Sequence, residues 1–173
     1  RYLDLGENPP QGVIFHYVLN DPENSKLELQ IFDSKGNLID TFETKQEDKV
    51  SGQTENDDEE DQKPALTSSK GLNRFVWNMR YPGPAEKIDK TLEQKRYKAL
   101  GRGEMGERGG PTAMPGTYKA VLTIENTKQE HHFEILKDPR LETSEEDYQA
   151  QFDLWMNIRD QLSETNRLLN QLR

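Results

Sequence analysis

Lys26-Leu27-Glu28-Leu29-Gln30-Ile31 alternates polar and apolar side chains at every step. Successive side chains of a β-strand point to opposite faces, so this stretch reads as a strand with one face buried and the other wet. Asp33-Ser34-Lys35-Gly36-Asn37 follows with hairpin chemistry, Gly36 being free to take positive φ, and residues 38–44 return as the next strand. An antiparallel hairpin is the seed of the fold.

The same punctuation continues on both sides of it. Upstream, Gly12-Val13-Ile14-Phe15-His16-Tyr17-Val18-Leu19 is β-branched and aromatic enough for a strand, and both of its faces are apolar. That predicts cover on two sides, or one face on the core and one on a neighbouring domain. Downstream, Leu72 to Arg80 forms a strand with Phe75, Trp77 and Met79 on one face, ended by Tyr81-Pro82-Gly83-Pro84. Tyr118-Lys119-Ala120-Val121-Leu122-Thr123-Ile124 and residues 130–136 make a further hairpin about a turn near residues 126–128. Six short strands with no helix between them predict a mainly β fold, an antiparallel Ig-like or FnIII-like sandwich.

The chain is 173 residues long, 31% hydrophobic and 32% charged, a balance that would favour disorder if it were evenly spread. It is uneven. Between Gln46 and Asp61 there are eight acids against Lys49, a net of −7 within a whole-chain charge of −9. So few apolar residues cannot offset the entropy of ordering, and residues 46–70 are expected to be a long solvated insertion. Residues 85–111, basic at first and glycine-rich later, form a second irregular insertion.

At Thr143 the apolar period changes. Thr143 and Glu146 have the spacing of a capping box, and Tyr148, Phe152, Trp155, Ile158, Leu162, Thr165, Leu169 and Leu172 fall on one stripe close to a heptad seam. The division is a sandwich over residues 1–140 and a C-terminal amphipathic α-helix over residues 141–173. From Ser144 onward that helix could reach about 43 Å, more than a small sandwich covers. Phe152, Trp155, Ile158, Leu162, Leu169 and Leu172 are accordingly expected to dock on something else: a following helix, an upstream domain or a second copy.

Several chemistries are disfavoured. An acidic chain does not attract phosphate backbones, which argues against nucleic acid as a partner. No apolar run approaches the roughly 20 residues that span a bilayer. With no cysteine there is no disulfide, thiolate nucleophile or Cys-ligated zinc. Of the three histidines, His131 and His132 are neighbours in a strand and must face opposite ways, so they and His16 do not form a metal site. The acidic run Asp57 to Asp61 lacks the alternating ligands and glycine of a calcium loop. The 32 acids include no pair beside a distinctive glycosidase motif, and neither a Gly-x-Ser-x-Gly elbow nor a phosphate loop occurs. Catalytic, metal-binding and cofactor-binding residues are therefore each expected to be none. Gln94 to Gly101 is similar to a short gyrase B motif, but no Asp-x-Asp accompanies it and the match reads as chance. Trp77 and Trp155, among apolar neighbours, are expected to be core anchors.

Four segments together resemble a known family. The Asn8-Pro9-Pro10-x-Gly12 entry, Gly71-Leu72-Asn73-Arg74-Phe75-Val76-Trp77-Asn78-Met79-Arg80-Tyr81-Pro82-Gly83-Pro84, Met114-Pro115-Gly116-Thr117-Tyr118 and Lys137-Asp138-Pro139-Arg140 are similar to the C-terminal region of bacterial BNR-repeat proteins. These are exported proteins with sortilin-like β-propellers, often labelled glycosyl hydrolases. The Gly-x-Asn-x-x-x-Trp and Pro-Gly-x-Tyr segments also resemble the Ig-like domain of the flagellar hook-capping protein. The resemblance implies a periplasmic or extracellular, non-catalytic module that packs on an upstream propeller or another helix. No Ser-x-Asp-x-Gly-x-x-Trp box occurs in the chain, so no catalytic residue is carried over. An alternative expectation is an accessory carbohydrate-binding module, for which Tyr81 and Tyr97 are the candidate sugar contacts.

Overall fold

A computed structural model of the chain describes residues 10–21, 26–44, 64–88 and 109–172. Among these residues six strands and one helix follow in order: β1 (Val13–Leu19), β2 (Leu27–Phe32), β3 (Leu38–Glu43), β4 (Gly71–Trp77), β5 (Gly116–Ile124), β6 (Thr127–Ile135) and α1 (Glu145–Gln171). Every strand pair is antiparallel. β1 pairs with β4, and a four-stranded sheet has the order β3-β2-β5-β6.

The two sheets meet face to face through the alternating side chains. Leu27, Leu29 and Ile31 of β2 bury one face of their strand completely, matching the alternation of the sequence. From the smaller sheet, Tyr17, Leu19, Phe75 and Trp77 complete the core. Ring contacts cross the interface: Phe42 to Phe75 at 4.7 Å, Phe15 to Phe133 at 5.5 Å and Trp77 to Tyr118 at 6.0 Å between centroids. Trp77 is 1% exposed and is the core anchor expected of it.

The acidic insertion begins outside the described residues, but its far end belongs to the sandwich. Leu66 is buried, and its N–H donates to the Glu43 carbonyl at 2.9 Å beside the end of β3. The expected loop over residues 46–70 therefore closes earlier, because one apolar residue suffices to seat the chain against an open strand edge. The second insertion behaves alike at its ends. Tyr81 N–H donates to the Pro111 carbonyl at 2.8 Å and Ala113 N–H to the Met79 carbonyl at 2.7 Å, a short bridge that extends past β4. Tyr97 and the basic stretch around it lie outside the described residues.

Candidate functional site

The quoted motifs resolve into turn and packing roles. Gly12 has φ 143°, and a Cβ there would overlap the Trp77 carbonyl oxygen, so only glycine lets the chain enter β1 beside the end of β4. Asn73 is buried: its Oδ1 accepts from Ser69 N–H at 2.9 Å, and its Nδ2 donates to the carbonyls of Ser69 at 2.7 Å and Gly71 at 3.0 Å. This clamps the turn that starts β4. At its other end the Trp77 indole donates to the Arg80 carbonyl at 3.2 Å across a kink at Met79, whose φ is 57°. The Tyr118 hydroxyl donates to the Met114 carbonyl at 2.7 Å, pinning the Pro115-Gly116 turn. Asp138 accepts from the Arg140 backbone and guanidinium, closing the turn before the helix. Every one of these polar groups is spent on the fold.

α1 starts on a capping box one residue later than expected. Ser144 Oγ accepts from Asp147 N–H at 3.1 Å, and the Asp147 carboxylate accepts from Ser144 N–H at 3.3 Å. Thr143-Ser144-Glu145-Glu146-Asp147 contains two overlapping frames. The frame adopted puts three acids in the first turn, where the helix dipole favours them.

The side of α1 that meets the rest of the chain is apolar at its start and polar further along. Phe152 packs its ring against Tyr81, with centroids 4.9 Å apart. Beyond that, Ser163 Oγ accepts from Glu86 N–H at 3.0 Å, Asn166 Nδ2 donates to the Glu86 carbonyl at 2.8 Å and Asn170 Nδ2 to the Lys87 carbonyl at 2.9 Å. Side chains thus supply the hydrogen bonds that an irregular backbone lacks. Ser163, Asn166 and Asn170 recur at the 3,4 spacing of one helix face, a signal present in the sequence but indistinguishable there from a solvated face.

The apolar stripe expected to dock is mostly exposed. Phe152 is half-buried, while Trp155, Ile158, Leu162, Leu169 and Leu172 are all exposed, as are Leu154 and Leu168 beside them. Trp155 is 53% exposed and is not a core anchor. The sandwich is already closed by Trp77 and Tyr118, and the contact at its helix turn is taken by Phe152. Trp155, Ile158 and Leu162 line one wall of a groove of about 520 Å³ whose opposite wall is Pro84 with residues 109–115. Arg80 and Arg159 also line it, the first donating to the Gly110 carbonyl at 3.1 Å, the second paired with Asp160 at 2.6 Å.

Of the two tyrosines expected to contact sugar, Tyr81 is half-buried and presses on Phe152. Its burial, with the nearby Tyr118 and Asp33 adding, raises the phenol well above its ordinary value. His16, His131 and His132 are exposed on strands, and among the described residues no group of three or more His, Asp or Glu could hold a metal ion. Nor, among them, is any helix long and apolar enough to cross a membrane.

No protein-family model, curated protein or solved structure matches the chain.

Proposed function

We propose that the chain is a non-catalytic structural and interaction module of a larger exported protein of the BNR-repeat, glycosyl hydrolase-like type. It docks through α1 on the propeller upstream or on another helix. The observation that carries this reading is the division of labour on α1. Polar Ser163, Asn166 and Asn170 satisfy the chain's own backbone, while Trp155, Ile158 and Leu162 on the groove wall and Leu169 beyond it are left exposed. Apolar side chains contiguous over this length favour removal from water on association. Gly12, Asn73, Trp77, Tyr118 and Asp138 of the quoted motifs, engaged in turns and core contacts, support a scaffold more than a reaction centre.

The test is association between this chain and the separately produced upstream region of its parent, measured by calorimetry. Ile158→Glu and Leu162→Glu should abolish the interaction and leave the unfolding midpoint within error. An affinity indifferent to both substitutions sinks the assignment of the stripe.

A carbohydrate-binding role is favoured by one observation, the half-exposed indole of Trp155 on the groove wall. Sugar rings stack on such faces. Because Trp77 is enclosed, a change in tryptophan emission on titration with oligosaccharides would report Trp155, and it should vanish in Trp155→Phe. A flat titration removes this second reading.

A further inference from the structure

The smaller sheet contains an edge whose chemistry differs from that of the other edges among the described residues. Among the described residues, β1 is hydrogen-bonded on one side only, to β4, in an unbroken seven-residue register. Exposed strand edges are normally blunted by charge, proline or a bulge, because open N–H and C=O groups template further pairing. The other edge strands comply: β3 carries Asp40 and Glu43, β4 carries Arg74, and β6 carries Lys128, Glu130 and Glu134. β1 reads Val-Ile-Phe-His-Tyr-Val-Leu, with no Asp, Glu, Lys, Arg or Pro and no bulge. Its outer face adds to the anomaly, since Ile14 and Val18 are exposed and Val18 pairs with Leu72, which is 71% exposed.

We infer that the free edge of β1 pairs antiparallel with β1 of a second copy, about a twofold axis at His16. The strand is close to a palindrome in side-chain class. In that register Val13 lies opposite Leu19 of the second copy, Ile14 opposite Val18, and Phe15 opposite Tyr17, while His16 meets itself. Inner-face residues meet inner-face residues and outer-face residues meet outer-face ones, so both sandwich cores continue across the junction. A register slipped by one residue would set Phe15 and Tyr17 against outer-face positions, and one slipped by two would keep the faces but leave two of the seven residues of each β1 unpaired, so the alignment about His16 pairs the whole strand. The result is a continuous sheet β4-β1-β1-β4. Charged β6 in the other layer has no matching tendency. This contact is separate from α1 and stands or falls independently of the docking proposed for the helix.

His16 is exposed on the outer face, so it can be exchanged without touching the core. Sedimentation of the intact chain should show a concentration-dependent dimer. His16→Lys and His16→Glu, each of which places like charges directly opposite, should weaken it at least about fivefold, and an equimolar mixture of the two should restore it as a heterodimer. Near-ultraviolet dichroism of the enclosed Trp77 checks that both variants remain folded. Amide exchange should slow in β1 with rising concentration. A monomer at every concentration overturns the inference. So does a dimer that survives His16→Lys, a mixture that fails to re-associate, or protection that appears in α1 and not in β1.

Discussion

Gly12 and Trp77 approach so closely that the glycine has no room for a side chain: a Cβ would fall on the Trp77 carbonyl oxygen, while φ at Gly12 is 143°. Two independent penalties therefore act on Gly12→Ala, backbone strain and steric overlap with main chain that is itself fixed by pairing Val13 with Trp77. The substitution should cost about 2–4 kcal/mol, well beyond the effect of an ordinary surface change. Urea unfolding followed by Trp77 fluorescence measures it, and a cost below that of Gly36→Ala, where a Cβ would meet open space, contradicts the account.

Asn73 uses both ends of its amide, accepting from Ser69 and donating to the carbonyls of Ser69 and Gly71. Removing it leaves a gap where a buried clamp stood, and Asn73→Ala should destabilise by about 2 kcal/mol. Asn73→Asp is the sharper probe. A carboxylate keeps the contact with Ser69 N–H but turns an acceptor toward two carbonyls, so this variant should be at least as unstable as alanine at neutral pH. Equal stability of Asp and Asn at this position would refute the clamp.

The alternation in Leu27 to Ile31 and Tyr118 to Ile124 exposed strand, face and hairpin partner together, because a period of two and a turn are local properties. Leu66 was not legible in the same way. A lone leucine in an acidic, proline-containing stretch has no period, and its place beside Glu43 depends on an edge formed more than twenty residues earlier. The helix shows the limit from the other side. Most of its heptad-like apolar stripe is exposed, and apart from Phe152 against Tyr81 the contact with the chain itself runs through Ser163, Asn166 and Asn170. A polar stripe carries no signature separating a backbone partner from water. For the same reason Trp155, apolar and flanked by Leu154 and Met156, suggested a core position and stands at a groove instead.

Between β5 and β6 the loop is two residues long, with Ile124 paired to Thr127, and its first residue, Glu125, has φ 54°. Positive φ at the first position alone is the pattern of a type II′ turn, where glycine is preferred. Glu125→Gly should therefore stabilise the hairpin by about 0.5–1 kcal/mol, since relieved strain exceeds the added chain entropy. A rise in thermal midpoint tests this, and a fall would show that the Glu125 side chain contributes something the turn geometry does not reveal.

Burial raises the phenols of Tyr17, Tyr81 and Tyr118 above the ordinary 10.0, that of Tyr118 up to about 12, with Asp33 adding to it and the Met114 hydrogen bond opposing. The unfolded chain sheds these protons near pH 10 while the folded chain retains them. Their stabilising contribution is complete below pH 10 and is lost as pH rises from 10 through 12. Absorbance at the phenolate band should show some of the six tyrosines ionising late and together with loss of far-ultraviolet dichroism. Six phenols titrating near pH 10 with the fold intact would contradict the burial of all three.

The amide of Asn166 is buried and donates to the Glu86 carbonyl, making it the central tie between the distal half of α1 and the segment that runs beside it. Ser163 and Asn170 lie on either side of that tie and hold the same two residues, Glu86 and Lys87. Because the sandwich core does not include α1 among its buried apolar residues, loosening the tie should act locally. Asn166→Ala is expected to cost about 1–2 kcal/mol for opening of the distal helix, with the global unfolding of β1 to β6 unchanged. Amide exchange across residues 160–171 should accelerate roughly in proportion, while β2 and β5 keep their protection. Faster exchange in β2 and β5 as well would mean that helix and sandwich unfold as one cooperative unit, and the polar stripe would then be a determinant of the fold rather than a detachable strap.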